Sequence, residues 1–413
     1  MEWYCHWSVH LKSDLGFANS QLEVKLNGDK MRIGVLIDQL LPGGVQKIAV
    51  KEVQYLRDLG VDAHLLVIMR VPMQEKYMGM LEGVPCEFIS DRYPRGLRKS
   101  YKFPIFHFFS TLHLLSPVIA PAYFREKEYD FIISHNTTTC LTAQALWRKK
   151  RIPYAAFVWD PMNYILTKVY SKTLLRGLFP FLSPLVKAIE KSFLKDARVV
   201  ITGSHVHSDF LFSKHDMQSK VLYPGCVVAG HIPEKRGEYM LALTRWDNDK
   251  KPLFLLDLVK DNPHAKLLIV GTWTKLNDFE LFKKRIKMLD VADRVKIVEQ
   301  FGDNTLADFG REARFFIHPN FEAFGMGALE LAAHGCPMII PRGSGVGEIF
   351  ENTVHGFFPE KENYGEFKTA VEMLLNDERM AYRMGATAWE RAKEYSWANH
   401  AGNLLKLIQE AQK

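Results

Sequence analysis

The sequence predicts an α/β protein with two parallel-sheet domains that face each other across a cleft. Short apolar runs, suited to buried strands, alternate with amphipathic helical stretches from residue 31 onward. This alternation stops once and restarts near residue 238. A chain of 413 residues also exceeds the size of one ordinary hydrophobic core, which favours two domains. Open parallel sheets bind ligands outside the carboxyl ends of their strands, so the site is expected in the cleft.

The first domain is predicted to span residues 31–230. A strand at Ile33–Ile37 leads through a glycine pair into a helix that ends near Leu59. Strands separated by helical stretches indicate βαβ units and a mostly parallel sheet. The remaining strands are expected at Ala63–Met69, Cys86–Ile89, Phe131–Ser134, Tyr154–Val158 and Val199–Thr202.

Residues 1–30 differ from the rest of the chain, because they show no sustained apolar period. They also lack the basic and apolar regions of a signal peptide. We predict a disordered extension here, with Met31 as the biological start. A short ordered arm is the alternative.

The second domain is predicted to span residues 238–390. The segment Val228–Gly237 before it combines glycine, proline and charge without an apolar period, which is typical of a linker. Strands are expected at Met240–Leu243, Lys266–Val270, Val295–Val298, Phe315–His318 and Met338–Ile340. Helices are expected at Leu253–Val259, Phe279–Met288, Thr305–Ala313 and Glu322–Glu330.

The composition is that of an ordinary globular protein, with 47% hydrophobic and 24% charged residues. The five cysteines are scattered and form no CxxC pair, so neither a zinc site nor a disulfide framework is indicated. A reducing, cytoplasmic compartment fits this pattern best.

The most specific motif is a pair of glutamates, Glu322 and Glu330, with a glycine-rich turn between them. A helix is predicted to begin inside the pair, so that Glu322 stands at its N-terminus and Glu330 follows about one and a half to two turns later. The N–H groups at a helix start attract phosphate, and carboxylates accept hydrogen bonds from sugar hydroxyls. A sugar nucleotide offers both kinds of group.

Two further loops follow predicted strands at the same edge. The pair Gly43–Gly44 allows close approach of the backbone to a phosphate or sugar, although a plain turn explains it equally well. Arg245 and Lys250 can neutralise a diphosphate, and a solvated basic loop is the alternative. Asp247–Asp249 has the form of a DxD metal motif, but it lies among cations and is not predicted to hold a metal.

In their order and spacing these motifs resemble the retaining glycosyltransferases of family 4, which have the GT-B fold. The resemblance covers nearly all of Met31 to Gln412. Its strongest part is Glu322–Pro341, which is similar to the family's E-x7-E signature, and Val199–Ser204 and Tyr223–Gly225 support it. The resemblance implies a GT-B fold in which the C-terminal helix, residues 391–413, crosses back to the first domain through Trp397.

The resemblance also implies a role for each motif residue. Arg245 and Lys250 would bind the donor's diphosphate, Glu322 the donor sugar and Glu330 the ribose hydroxyls. Arg245, Lys250 and Glu322 would therefore be the catalytic residues. The other donor-binding residues would be Gly43, Gly44, Phe324, Gly325, Met326 and Gly327. The implied reaction is front-face transfer with retained configuration, which uses a nucleoside-diphosphate sugar and needs no metal and no other cofactor.

The acceptor side departs from the family pattern. Many relatives carry a His-Asp pair after a central strand, whereas this chain has Trp159 before Asp160. An indole can stack on a sugar ring but cannot act as a base. His135, at the end of a neighbouring strand, could reach the acceptor, and a structural histidine is the alternative. We take these three residues as the acceptor-side candidates.

Basic charge is concentrated in the predicted acceptor domain. Residues 92–195 carry 17 Lys/Arg and 5 Asp/Glu, a net charge of +12 against +7 for the whole chain. This basic charge lies beside the apolar residues of Phe103–Ala122 and Ile165–Lys195. The combination suits peripheral contact with anionic lipid at the inner face of the cell membrane. An amphipathic helical layer over the sheet is the alternative. No motif for recognising nucleic acid is present.

Three functions follow from these observations. The first is a retaining glycosyltransferase that acts on a glycan, a lipid-linked acceptor or a small molecule. The second is a sugar-nucleotide epimerase of similar fold, but such enzymes lack the E-x7-E arrangement. The third is a non-catalytic sugar-nucleotide binder, which does not explain why Arg245, Lys250, Glu322 and Glu330 occur together.

Overall fold

The structure, a computed structural model, contains two parallel sheets with helices on their faces. It describes residues 25–26, 29–41, 43–71, 79, 81, 83–99, 102, 104–106, 109–162, 177, 179–299 and 303–413. The predicted extension at residues 1–30 therefore lies largely outside the described residues, and so does most of the segment from Ile165 to Gly177. Within the described part, Lys25–Leu26 pairs antiparallel with Asp29–Lys30, and Pro104–Phe106 with Phe109–Ser110.

Among the described residues, the first sheet has seven parallel strands. Their spatial order is Lys220–Val221, Val199–Thr202, Tyr154–Val158, Phe131–His135, Arg32–Ile37, Asp62–Val67 and Cys86–Phe88. The central strands are buried along their length because helices cover both faces of the sheet. In the described part of this domain the helices are Gly44–Asp58, Thr111–Ile119, Thr137–Lys150, Phe179–Asp196 and His205–His215.

The second sheet has six parallel strands. Their spatial order is Val295–Val298, Lys266–Val270, Tyr239–Leu243, Ala313–Ile317, Met338–Ile339 and Gly356–Phe357. The order reverses beside Tyr239–Leu243, and such a switch point opens a crevice at the carboxyl ends of the strands. The helices are Pro252–Asp261, Leu276–Leu289, Asp303–Glu312, Met326–Ala332, Tyr364–Asn376 and Glu378–Ala392.

The last helix, Trp397–Gln412, packs on the first domain. Trp397 is 1% exposed and belongs to the first domain's core. A Cβ atom on Gly225 would lie 2.7 Å from the Cα atom of Trp397, so only glycine allows the backbone at this position to pass so close. The predicted α/β architecture, with two parallel-sheet domains and a returning C-terminal helix, is confirmed.

Some details differ from the sequence-based expectation. The helix of the glutamate pair begins at Met326, with Gly325 as its N-cap, so Glu322 lies in the loop before it. The strands Lys220–Val221 and Gly356–Phe357 were not expected, because two residues are too few to show a period. Within the described residues, no helix is long and apolar enough to cross a membrane.

Candidate active site

The two domains meet where the carboxyl ends of both sheets converge. A Cβ atom on Gly44, at the start of the first domain's helix, would lie 3.8 Å from Cγ of Met326 in the second domain. Ser204 Oγ donates to the carbonyl oxygen of Ala323 at 2.7 Å. These contacts place the predicted glycine pair opposite the predicted glutamate motif.

Glu322 is bound to a lysine. Nζ of Lys250 lies 2.6 Å from Oε1 of Glu322, and Nε2 of His318 lies 3.5 Å from the same oxygen. Burial raises the pKa of Glu322, but His318 and Lys250 together outweigh it, so its pKa lies below the ordinary value. Burial lowers the pKa of His318. Glu322 is therefore an ionised carboxylate that lies beside the ammonium of Lys250 and the neutral imidazole of His318.

The turn between the two glutamates is held rigidly. The backbone N–H groups of Gly345 and Val346 donate to the carbonyl oxygens of Glu322 and Phe324 at 3.0 and 2.7 Å. Gly325 has φ +106°, a conformation that strongly favours glycine.

A Cβ on Gly327 would lie 3.3 Å from the carbonyl oxygen of Leu243, so the helix starts directly against the central strand. Phe324 is buried, whereas Met326 is half-buried.

Glu330 is bound to a lysine of the opposite domain. Nζ of Lys47 lies 2.6 Å from Oε1 of Glu330, and the two side chains are 20% and 11% exposed. Lys47 stands in the first turn of the helix Gly44–Asp58. Sequence reasoning missed Lys47. Its position three residues after Gly44 could have indicated it. A side chain in the first turn of the helix lies close to the ligand or domain that the glycine pair faces.

The loop that carries Arg245 and Lys250 is ordered by its neighbours. Trp246 is buried, and its indole N–H donates to the carbonyl oxygen of Val270 at 2.9 Å. Asn248 is held by Asp278, which accepts from its backbone N–H at 3.2 Å and from its side chain at 2.9 Å. Lys250 consequently points at Glu322, while the Arg245 side chain is exposed.

Two residues of the DxD-like segment, Asp247 and Asn248, make hydrogen bonds that order this loop. Asp247 accepts from the backbone N–H of Lys250 at 3.2 Å. Asn248 bonds to Asp278, and Asp249 is exposed. Across the described residues, no group of three or more His, Cys, Asp or Glu side chains is arranged to hold a metal ion.

The acceptor-side candidates are not brought together in an open pocket. His135 is fully buried, and its Nε2 atom lies 2.7 Å from Oε2 of Glu52. The interpretation as a structural histidine fits this geometry, because the ring has no exposed surface with which to contact an acceptor. Asp160 is exposed at the end of its strand.

Trp159 does not offer a free face for sugar stacking in this conformation. Phe157 stacks on the indole with ring centroids 4.5 Å apart, and the residue is 7% exposed. Gly203 lies so close that a Cβ there would be 2.0 Å from Cζ3 of the indole. The indole N–H donates to Nδ1 of His135 at 3.2 Å. Trp159 therefore belongs to the packing beneath the cleft.

A second interdomain contact centres on Glu348. Its carboxylate accepts from the backbone N–H groups of His205 and Val206 at 2.8 and 2.9 Å, and from the Tyr223 hydroxyl at 2.9 Å. A second-domain carboxylate thus caps the first turn of a first-domain helix. Sequence reasoning missed this residue, since an acid in a glycine-rich loop carries no sign of a partner far along the chain.

Comparison with known families identifies the enzyme class. Residues 229–391 match the model described as glycosyl transferases group 1, and residues 43–216 match the glycosyl transferase 4-like domain. These matches cover most of both domains. The chain belongs to the group 1 glycosyltransferases. The predicted enzyme class is confirmed.

Solved structures support the GT-B fold of this glycosyltransferase. It superposes on Anabaena HepE, solved in complex with UDP and glucose, with a TM-score of 0.69 at 16% identity over 92% of this chain and 99% of the other. The sucrose-phosphate synthase of Thermosynechococcus elongatus gives a TM-score of 0.72 at 16% identity, with 92% and 99% covered. At these identities the likeness shows the fold alone.

Curated relatives match over shorter stretches. An uncharacterized glycosyltransferase of Methanocaldococcus jannaschii is 25% identical over 217 residues, which is 52% of this chain and 54% of the relative. The poly(glycerol-phosphate) alpha-glucosyltransferase of Bacillus subtilis is 27% identical over 147 residues, or 35% and 21%. The matches thus span about half or less of these relatives' own length.

Proposed function

We propose that this glycosyltransferase transfers a sugar, with retained anomeric configuration, from a nucleoside-diphosphate sugar to a glycan, lipid-linked or small-molecule acceptor. The observation that carries the proposal is the pairing of each signature glutamate with a lysine in the cleft, Glu322 with Lys250 and Glu330 with Lys47. Carboxylates suit the hydroxyls of a sugar and a ribose, and ammonium groups suit a diphosphate. Solved neighbours in complex with UDP or UDP-glucose support this class of donor.

The chemistry that these residues can perform is charge stabilisation. Lys250 and Arg245 follow one strand end, where they would neutralise the negative charge that develops on the leaving diphosphate. Glu322, an ionised carboxylate beside Lys250, would orient a donor hydroxyl. As the bond between the anomeric carbon and the diphosphate oxygen breaks, the acceptor oxygen would bond to that carbon on the same face and give its proton to the departing phosphate. Attack on the same face retains the configuration. This scheme requires neither a metal nor a side-chain base.

A donor screen tests the proposal. The protein is incubated with UDP-, GDP- and ADP-sugars, with and without EDTA, and both nucleoside diphosphate and free sugar are measured. We expect slow hydrolysis of one donor class, unaffected by EDTA, with the α- or β-configuration of the donor kept in the product by NMR. An epimerised donor would replace the proposal with the epimerase. Binding without turnover, even with acceptors, would replace it with the non-catalytic binder.

We also propose that the first domain contacts an anionic membrane surface. On the helix Phe179–Asp196, Phe181 and Leu185 are 80% and 57% exposed one turn apart, next to the exposed Lys187. The helix Thr111–Ile119 exposes Leu114 and Val118 in the same spacing. Both helices pack against Thr137–Lys150, so they belong to one layer. Apolar side chains beside basic ones suit the surface of an anionic bilayer.

Vesicle binding tests this contact. At low salt we expect sedimentation with phosphatidylglycerol-containing vesicles and none with pure phosphatidylcholine. The double variant Phe181→Ser/Leu185→Ser should lose most of the binding. Leu276→Ser is the matched control, because Leu276 is 71% exposed on the second domain. Equal binding by the double variant and the wild type would exclude this surface.

A further inference from the structure

Lys47 is a cation at the N-terminal end of a helix that faces the cleft. It stands in the first turn of a 15-residue helix that has neither an acidic residue in that turn nor a side-chain cap. A cation at this end opposes the helix dipole, so the position is locally unfavourable. Glu330 on the opposite domain compensates for it at 2.6 Å.

The two lysine–glutamate pairs lie at neighbouring points of one site. A Cβ on Gly325 would lie 3.5 Å from Oε2 of Glu322, and the helix that Gly325 caps carries Glu330. Lys47 reaches this helix from the other domain. The ammonium groups of Lys47 and Lys250 thus approach the same seven-residue helix and its N-terminal turn from opposite domains.

Formal charge indicates what Lys47 adds. Arg245 and Lys250 balance Glu322 and Glu330, so these four residues sum to zero. Such a set gives little net attraction for a nucleoside-diphosphate sugar, which carries about two negative charges, or for the leaving diphosphate, which carries about three. Lys47 makes the set net positive.

We propose that Lys47 is a donor-binding residue supplied by the first domain, and that its ammonium bridges Glu330 and the donor's diphosphate. This inference rests on the proposed function. Because Lys47 and Glu330 belong to different domains, the bridge links donor binding to closure of the cleft. The leaving diphosphate gains more from Lys47 than the intact donor does, since it carries more charge.

Calorimetric titration with UDP, GDP and ADP tests the proposal on the full-length protein. For the diphosphate that the wild type binds, we expect Lys47→Met to raise Kd about 10- to 100-fold, because a hydrogen bond between charged groups is lost. The corresponding nucleoside, which has no phosphate, should bind both proteins equally. The affinity of the wild type should fall more steeply with NaCl than that of the variant. Lys47→Arg should retain most of the affinity.

Lys51→Met is the control variant, since Lys51 lies one turn further along the same helix. It should bind the diphosphate as the wild type does. An unchanged Kd for Lys47→Met, or an equal loss for nucleoside and diphosphate, would overturn the role of Lys47 and leave the proposed function standing. A wild type that binds none of the three diphosphates would overturn both.

Discussion

Lys250 and Glu322 are 72 residues apart in the chain, yet Nζ of the one lies 2.6 Å from Oε1 of the other. The lysine is aimed by a loop that Trp246 and Asp278 hold in place, and the glutamate by a turn that the backbone of Gly345 and Val346 secures. Both side chains are about one-quarter exposed, so a ligand can reach them. Under the proposed function, the pair is pre-organised where charge would develop on the leaving diphosphate.

Replacing Lys250 should therefore slow the chemical step. We expect Lys250→Ala to lower kcat about 10²- to 10³-fold with a smaller change in KM, because the interaction strengthens as the diphosphate leaves. Steady-state kinetics with the donor found by the screen measures both constants. Lys251→Ala is the matched control, since Lys251 pairs with the exposed Glu362. Wild-type turnover in Lys250→Ala would refute its assignment to the diphosphate.

Glu330 should govern donor affinity. We expect Glu330→Gln to weaken nucleoside diphosphate binding by about 1–3 kcal/mol, because an uncharged amide accepts ribose hydroxyls less strongly and Lys47 loses its partner. Binding of a 2′,3′-dideoxynucleoside diphosphate separates the loss of the ribose contact from the loss of the Lys47 partner. If the ribose contact dominates, the variant and the wild type should differ little with a donor that lacks the 2′- and 3′-hydroxyls. A full loss with that ligand would point to Lys47 instead.

The parts of the candidate site that could be predicted from the sequence are those marked by a local pattern. The glutamate motif, the glycine pair and Lys250 lie at strand ends, and parallel sheets bring such ends to one edge. Lys47 and Glu348 were not predicted, because their partners lie in the other domain. These partners are Glu330 and the helix start at His205. Interdomain contacts depend on how two separately folded sheets dock, and no local period records that.

For His135, the sequence left a functional and a structural role open. Its place at a strand end suggested a functional residue, but burial and pairing with Glu52 are properties of tertiary packing. The helix Gly44–Asp58 brings Glu52 into the core between the sheet and the C-terminal helix, where two histidines surround it. A glutamate within an amphipathic helix gives no sign in the sequence that it faces inward.

The buried Glu52 should make stability depend on acid. Burial raises its pKa, but His135 and His400 outweigh this and lower the pKa from 4.5 to about 2. Nδ1 of His135 accepts from Trp159, so its Nε2–H donates to Glu52. Nδ1 of His400 lies 2.7 Å from the carbonyl oxygen of Tyr223, and its Nε2 lies 2.9 Å from Oε1 of Glu52.

Because the folded pKa is depressed, the stabilisation by Glu52 is present above pH 4.5 and is lost as the pH falls towards 2. The shift corresponds to roughly 3 kcal/mol. We expect the free energy of unfolding of the wild type to fall by that much more between these pH values than that of Glu52→Gln. Urea unfolding at a series of pH values measures it. Glu410→Gln, on the surface of the C-terminal helix, should retain the wild-type dependence.

Glu348 should help to hold the two domains together. Its carboxylate accepts three hydrogen bonds from the first domain, two of them from backbone N–H groups in the first turn of the helix His205–His215. We expect Glu348→Ala to reduce the free energy of unfolding by about 1–2 kcal/mol, the cost of losing a helix cap. The radius of gyration from X-ray scattering should rise, because the lost bonds join the domains.

Glu351→Ala provides the comparison for Glu348→Ala, since Glu351 is exposed a few residues further along the same loop and should change neither quantity. Saturating nucleoside diphosphate should restore the compact form of Glu348→Ala, because the ligand would bind residues of both domains and so favours closure. A stability loss without any change in the radius of gyration would mean that Glu348 only caps the helix. In that case the pair of Lys47 and Glu330 would be sufficient to hold the cleft closed.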